Sequence, residues 1–334
     1  MIRSANPAHG VLPSRYVSAA CSRRTGLSTP YSTPMAERPT AKCPTSSTFD
    51  RFAVRRWFAR AGDGDPEFAR TTQVARDALL DRLVEIRITP RRILDLGAGT
   101  GVGARALARR YRGADVVSVD PVVSLLTCAR SRAPRWFSRH RYVAGEAERL
   151  PLSTHSVDLV VSSLALPWFD PVDDALAECL RTLRPGGLLL LSTLGPDTLE
   201  ELAFAWRGRT ISPRMHPFAD MHVLGDALMH AGFADVVMDT MHVRLQAPDF
   251  WHLCRVLSRS GGSGALAARR RGLTAVEPFR AAAARYDTLR DPDGALPVSV
   301  EFVFGHAWAP DPARPGTAAV LPRVDWSSGS GFGS

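Results

Sequence analysis

Ile93-Leu94-Asp95-Leu96-Gly97-Ala98-Gly99-Thr100-Gly101 runs from a short apolar segment into a turn with glycine at alternate positions. Val102–Arg112 (VGARALARRYR) follows with apolar residues at helical spacing, so the stretch predicts a strand, a tight turn and a helix. Glycines allow positive φ in the turn and let backbone N–H groups approach a ligand. A second strand, Val116-Val117-Ser118-Val119, ends on Asp120. An acid at that strand tip can accept from both hydroxyls of a ribose. The pattern predicts a nucleoside-containing cofactor lying across the first two strands.

Gly99-x-Gly101-x-x-Ala104 formally satisfies the dinucleotide fingerprint, which would make the chain a dehydrogenase. Asp95 points elsewhere. It lies inside the first strand, two residues before Gly97, and a carboxylate beside the turn favours a cation over a pyrophosphate. S-adenosylmethionine carries an ammonium and a sulfonium. The string resembles motif I of the class I methyltransferases.

Working outward, 334 residues at 45% hydrophobic suffice for one large α/β domain with insertions or for two small domains. No run of about 18 apolar residues occurs, so no transmembrane helix is expected. The five cysteines, Cys21, Cys43, Cys128, Cys179 and Cys254, are scattered and odd in number, which fits a reducing compartment such as the cytoplasm. The formal charge is +9, and Lys42 is the one lysine among 42 basic residues. Such an arginine skew reads first as genome composition on a solvated surface and second as a basic patch for an acidic protein partner. Nucleic-acid binding ranks third, since no basic run is interleaved with aromatics.

Residues 1–47 are rich in Ser, Thr, Pro and Arg, with no acid before Glu37. They lack an apolar signal region, resemble a transit peptide, and also fit sequence upstream of a start at Met35; disorder is expected there. Phe49–Ala61 (FDRFAVRRWFARA) predicts an amphipathic helix, packing on the main domain or lying as a lid over the cofactor, and Phe68–Ile88 predicts a second helix. After Asp120 come a helix over Val122–Arg132 and a third strand, His140–Ala144. Glu146, just beyond, is the candidate for the adenine amine. Ser156–Ser163 is strand four, with Ser162 near its tip as a further cofactor-side candidate, and Trp168 follows where it could wall the transfer site.

Val172–Leu183 predicts a helix, closed by Arg184-Pro185-Gly186-Gly187 before strand five at Leu188–Thr193. Alternating β and α units predict a doubly wound, mostly parallel sheet. Beyond it lie a helix and loop over Gly195–Phe218, a helix over Val223–Ala231, strand-like Phe233–Met238 and Val243–Leu245, an arginine-rich helical stretch over Ala247–Leu289, and a last strand, Pro297–Trp308. Residues 48–312 are thus expected to form one domain of seven strands, with substrate-side insertions at about 195–222 and 246–296 and a disordered tail over 313–334.

The ordered set ILDLGAGTG, VVSVD, GEAERLP, VDLVVSSLALPW and LRPGGLLLLST resembles the class I methyltransferases throughout. The flanks FDRFAVRRWFARA, STLGPDTLEEL, PFADMHVLGDALMHAGFADVVMD, ALAARRRGLT and LPVSVEFVFGHAW resemble the BioC family, malonyl-acyl-carrier-protein O-methyltransferases of biotin synthesis. The chain is similar, less closely, to a mitochondrial complex I assembly factor of the same fold that hydroxylates an arginine. The first resemblance implies S-adenosylmethionine as cofactor. Asp95, Gly97, Ala98, Gly99 and Gly101 would hold its methionine part, Asp120 its ribose and Glu146-Ala147 its adenine, with Trp168 at the transfer site. It further implies an acidic carrier protein as partner, which the arginines of 255–290 could receive. A malonyl carboxylate must be bound, and Arg214, His216 and Arg244 are the candidates. Asp65 falls about where many members carry a tyrosine, a departure that bears on the lid. A protein-modifying factor and a non-catalytic cofactor-binding module are the rival readings. A monomer without nucleic-acid or membrane partners is expected.

Overall fold

The computed structural model describes residues 50–61, 66–134, 139–207, 218–259 and 276–313. Expectations on residues 1–49, the tail beyond 313, Asp65, Arg214 and His216 lie outside them. Seven strands form one sheet: β1 Arg92–Leu96, β2 Asp115–Asp120, β3 His140–Ala144, β4 Val157–Ser163, β5 Leu183–Leu194, β6 Ala234–Ala247 and β7 Leu296–Trp308. Their order is β3-β2-β1-β4-β5-β7-β6. All neighbours through β5 pair in parallel, while β7 runs antiparallel to both β5 and β6.

The central strands read as nearly continuous apolar runs because both of their faces are covered. On one face Leu94, Leu96, Val160, Leu189 and Leu191 pack with Leu176, Leu224 and Leu228. These last belong to helices α5 (Val172–Thr182) and α7 (Met221–His230). On the other face Ile93, Val116, Leu159 and Leu188 pack with Leu79 and Leu107, which belong to α2 (Pro66–Asp81) and α3 (Val102–Arg110). Helix α1 (Arg51–Ala61) precedes α2, and α4 (Val123–Ser131) follows β2. The described residues of the insertion before the last strand carry two helices, in keeping with the expectation. Its α8 (Phe250–Arg259) and α9 (Glu277–Asp287) build a third cluster with α6 (Glu200–Trp206) and the start of β7, around Trp206, Phe250, Tyr286 and Leu296. Tyr286 is fully buried there and donates to the Pro297 carbonyl at 2.7 Å.

Three expectations need correction. Arg184–Gly187 does not turn the chain ahead of strand five; β5 begins at Leu183. Val157 pairs with Leu183 and Leu159 with Leu188, so the stretch is a bulge within the ladder. Gly186 takes φ +71 there and its N–H still finds the Ala309 carbonyl at 3.0 Å, which keeps the strand in the sheet. Second, the two strand-like pieces after α7 are one strand, β6; it lies at the sheet edge, where polar residues alternate outward without breaking pairing. Third, the second helix stops at Asp81, and a 3-10 turn takes Arg82–Val84. Among the described residues no helix is long and apolar enough to cross a membrane.

Candidate active site

The glycine turn joins β1 to α3 at the carboxyl end of the sheet. Gly97 and Gly101 take φ +72 and +75. A Cβ on Gly97 would lie 2.2 Å from that of Ala165, and one on Gly101 2.7 Å from that of Ala129, so both positions need the bare backbone. Gly99, φ +52, differs: nothing lies within 4 Å of its would-be side chain, and the turn opens to space at that point. Gly97 and Ala98 donate to the Val119 carbonyl at 2.9 and 3.2 Å, fixing the turn against β2.

Asp120 is buried, and each carboxylate oxygen accepts one backbone N–H, from Val122 at 2.8 Å and Gly99 at 2.9 Å. Each oxygen keeps a further acceptor site. Burial raises its carboxyl above the usual range against the pull of those two amides. Asp95 is only 5% exposed. Burial pushes its carboxyl up to about 7; the Ala104 amide pulls it down, and the charge of Asp120 adds to the rise. Its Oδ2 is buried without a hydrogen-bond partner, as are the Ser118 and Ser162 hydroxyls. Asp95 and Ser118 are in register on neighbouring strands and share a face. A buried, unpartnered carboxylate oxygen beside an open glycine turn suits a ligand that brings a cation and hydrogen-bond donors, as S-adenosylmethionine does.

Ala147 packs into the core, so only its backbone can face a ligand, while Glu146 pairs with Arg55 of α1. Trp168 lies in a 3-10 turn after β4, and the ring of Phe58 meets it edge-on at 5.2 Å. Leu164, at the tip of β4, is held at φ +56 and its N–H reaches the Ser192 carbonyl at 2.9 Å. A non-glycine residue in that region is strained. Arg214 and His216 lie outside the described residues. Arg244 is not brought to the site: on edge strand β6 its guanidinium pairs with Asp291 at 2.6 Å. Sequence reasoning missed the corner where Arg51, Glu148 and Asp170 meet, and the cluster of Asp197, His242 and Glu301, in which Asp197 N–H donates to buried Glu301 at 2.9 Å. Each draws on distant segments, and no local pattern announces either.

Residues 94–191 match a family model described as a methyltransferase domain. The fold is shared with the YcgJ protein of Bacillus subtilis, at TM-score 0.52 and 16% identity over 70% of this chain and 99% of that one. A putative methyltransferase from Bacillus halodurans shares it at TM-score 0.50 and 17% identity, over 70% and 98%. Strand order, antiparallel β7, glycine turn and acid-tipped β2 together define a class I methyltransferase. Proteins named malonyl-[acyl-carrier protein] O-methyltransferase are 40% identical in Halorhodospira halophila over 264 residues, covering 79% of this chain and 89% of the relative. The one from Laribacter hongkongensis is 42% identical over 273 residues, covering 80% and 91%. The chain belongs to the malonyl-[acyl-carrier protein] O-methyltransferase family.

Proposed function

We propose that the chain uses S-adenosylmethionine to methylate the free carboxylate of malonyl-acyl-carrier protein, giving the methyl ester that starts the pimeloyl chain of biotin. The buried, unpartnered oxygen of Asp95 beside the open turn at Gly99 carries the cofactor half of this reading. The names of relatives about 40% identical along most of the chain support the substrate half. They do not favour an assembly factor that modifies proteins.

When bound, S-adenosylmethionine supplies a methyl group activated by a sulfonium. Asp95 would take the ammonium, the backbone of Gly97, Ala98, Gly99 and Gly101 would flank the methionine part, and the free acceptor sites of Asp120 would take the ribose hydroxyls. Ala147 and Glu146 would border the adenine, with Ser162 offering its unpartnered hydroxyl at the tip of β4. Trp168 would wall the transfer region, backed by Phe58. The substrate carboxylate is already ionised at pH 7, so the chain has no proton to move and needs no general base. Its work is positioning and exclusion of water, worth roughly 7–11 kcal/mol at the ideal limit.

Arg214 and His216 are the candidates for the malonyl carboxylate. Of the insertion arginines, Arg255, Arg259 and Arg280 are exposed and suit an acidic carrier surface; Arg285 and Arg290 donate to the Arg207 and Pro248 carbonyls. The enzyme is read as a cytoplasmic monomer, in keeping with the free thiols of Cys128, Cys179 and Cys254. The test is titration with S-adenosylhomocysteine followed by transfer of labelled methyl to malonyl-carrier protein. A host lacking its own enzyme should then grow without biotin. Binding without transfer would sink the substrate, and no binding would sink the cofactor.

A further inference from the structure

Three distant segments meet on one side of the site. Helix α1 brings Arg51, Arg55 and Phe58, whose i, i+4, i+7 spacing sets them on one helix face. The turn after β3 brings Glu146 and Glu148. The loop after β4 brings Trp168 and Asp170. Glu148 is the joint: its Oε1 accepts the Asp170 backbone N–H at 2.6 Å, and its side chain is 12% exposed. The Arg51 guanidinium closes the same corner, 3.5 Å from Glu148 Oε1 and donating to the Asp170 carbonyl. One turn on, Arg55 pairs with Glu146, and a further turn on, Phe58 meets Trp168.

Burial alone does not hold this helix. Among the described α1 side chains only Ala53 is buried, and Phe52 is 81% exposed. An isolated helix of 11 residues is marginal in water. Its start is capped by Asp50, which accepts the Ala53 N–H at 3.0 Å, and Trp57 Nε1 reaches the Ser258 carbonyl of α8 at 3.2 Å. Helix α1 also packs along α4, and the two arginine pairs and the Phe58–Trp168 edge add anchors that all end on loops flanking the proposed cofactor site. Two of them reach the Glu146–Glu148 turn that would border the adenine.

We propose that Arg51 and Arg55 are positioning residues that latch α1 as a lid over the occupied cofactor site, with Glu148 coupling the lid to the loop that carries Trp168. The inference rests on the cofactor placement proposed above. The arginine pairs are partly solvated, so they form and break readily and weaken in salt. Losing Arg51 leaves Glu148 on the Asp170 amide, so the loop keeps its hydrogen bond while the lid is freed. Glu148→Gln keeps an acceptor for that amide and removes the charge that Arg51 grips.

The test is hydrogen exchange of the full chain with S-adenosylhomocysteine present, for wild type, Arg51→Ala, Arg51→Lys, Arg55→Ala and Glu148→Gln. Amides of α1 should exchange about fivefold faster in the two alanine variants and in Glu148→Gln, with β1 and β4 unchanged and Arg51→Lys partly rescued. Raising salt from about 50 to 500 mM should quicken α1 in the wild type and little in a variant that combines Arg51→Ala with Arg55→Ala. In methyl transfer, KM for the cofactor should rise more than kcat falls. Equal α1 exchange in wild type and variants at both salts overturns the latch, even if transfer is intact. Ligand-dependent α1 protection lost in Arg51→Ala supports it even if the wild type leaves malonyl-carrier protein unmethylated, an outcome that sinks only the substrate reading.

Discussion

Asp95→Asn tests the central electrostatic claim. Burial lifts the Asp95 carboxyl from 3.8 to about 7. At about 1.4 kcal/mol for each tenfold, the ionised form then costs the ligand-free fold about 4 kcal/mol. The sign follows from the direction: a raised carboxyl stabilises the fold fully below its unfolded value, and that contribution disappears as pH rises through about 7. Ligand-free Asp95→Asn should therefore be more stable than wild type at about pH 8, by up to that amount, and should lose its advantage steadily as pH falls to about 4. A ligand ammonium favours the ionised form. Affinity for S-adenosylhomocysteine should thus be about tenfold weaker at pH 6 than at pH 8, with nearly one proton released per binding event at the lower pH. Asp120, Arg105 and Arg76 also act on Asp95, and their charges are part of the value used. Calorimetric titration at pH 6, 7 and 8, in buffers of different ionisation heat, counts the protons. Affinity flat with pH and no proton release would refute the reasoning, as would an asparagine variant that binds like wild type.

Three further outcomes follow from the geometry. Gly97→Ala should lower stability by about 2 kcal/mol, through the close Ala165 Cβ and the positive φ; Gly99→Ala should cost less stability and weaken cofactor binding more, since its side chain would enter open space over the turn. Denaturant melts and titrations of the two variants separate these effects. Trp168→Ala should cut methyl transfer at least tenfold while binding S-adenosylhomocysteine within a few-fold of wild type, the transfer part corresponding to about 1.4 kcal/mol in the barrier; equal losses in both would place Trp168 at the cofactor. Tyr286→Phe should destabilise the chain by about 1–3 kcal/mol in urea unfolding, because the buried Pro297 carbonyl loses the hydroxyl it accepts from at 2.7 Å.

The sheet and the glycine corner between β1 and β2 were legible because their signals are local. Strand β1, its glycines and Asp95 lie within ten consecutive residues, and β3 falls on His140–Ala144 as expected. What failed is what neighbours decide. Arg184-Pro185-Gly186-Gly187 carries every mark of a turn, yet Gly187 and Ala309 hold it in the ladder through a bond of 2.8 Å. The polar run Asp239–His242 breaks the apolar pattern of β6, but at a sheet edge only pairing with β7 matters. Arg244 offers the right charge for a carboxylate substrate, and nothing around it in sequence reveals that Asp291 takes it first. For the same reason the Arg55–Glu146 pair was invisible: charge pairing across the fold leaves no periodicity to read.

The antiparallel placement of β7 has a bearing on how such an enzyme changes its substrate. Ala247, where β6 ends, and Leu296, where β7 begins, are cross-strand partners on one rung of the ladder. The whole insertion therefore leaves and re-enters the sheet at a single point, like a cassette on a clip. It can lengthen, shorten or be exchanged with little strain on the strands, because the rung beneath is closed by the sheet itself. The cofactor corner sits at β1 and β2, on the far side of β4 and β5 from that clip. Evolution, or an engineer, can redraw the insertion of this molecule and leave the glycine corner as it is.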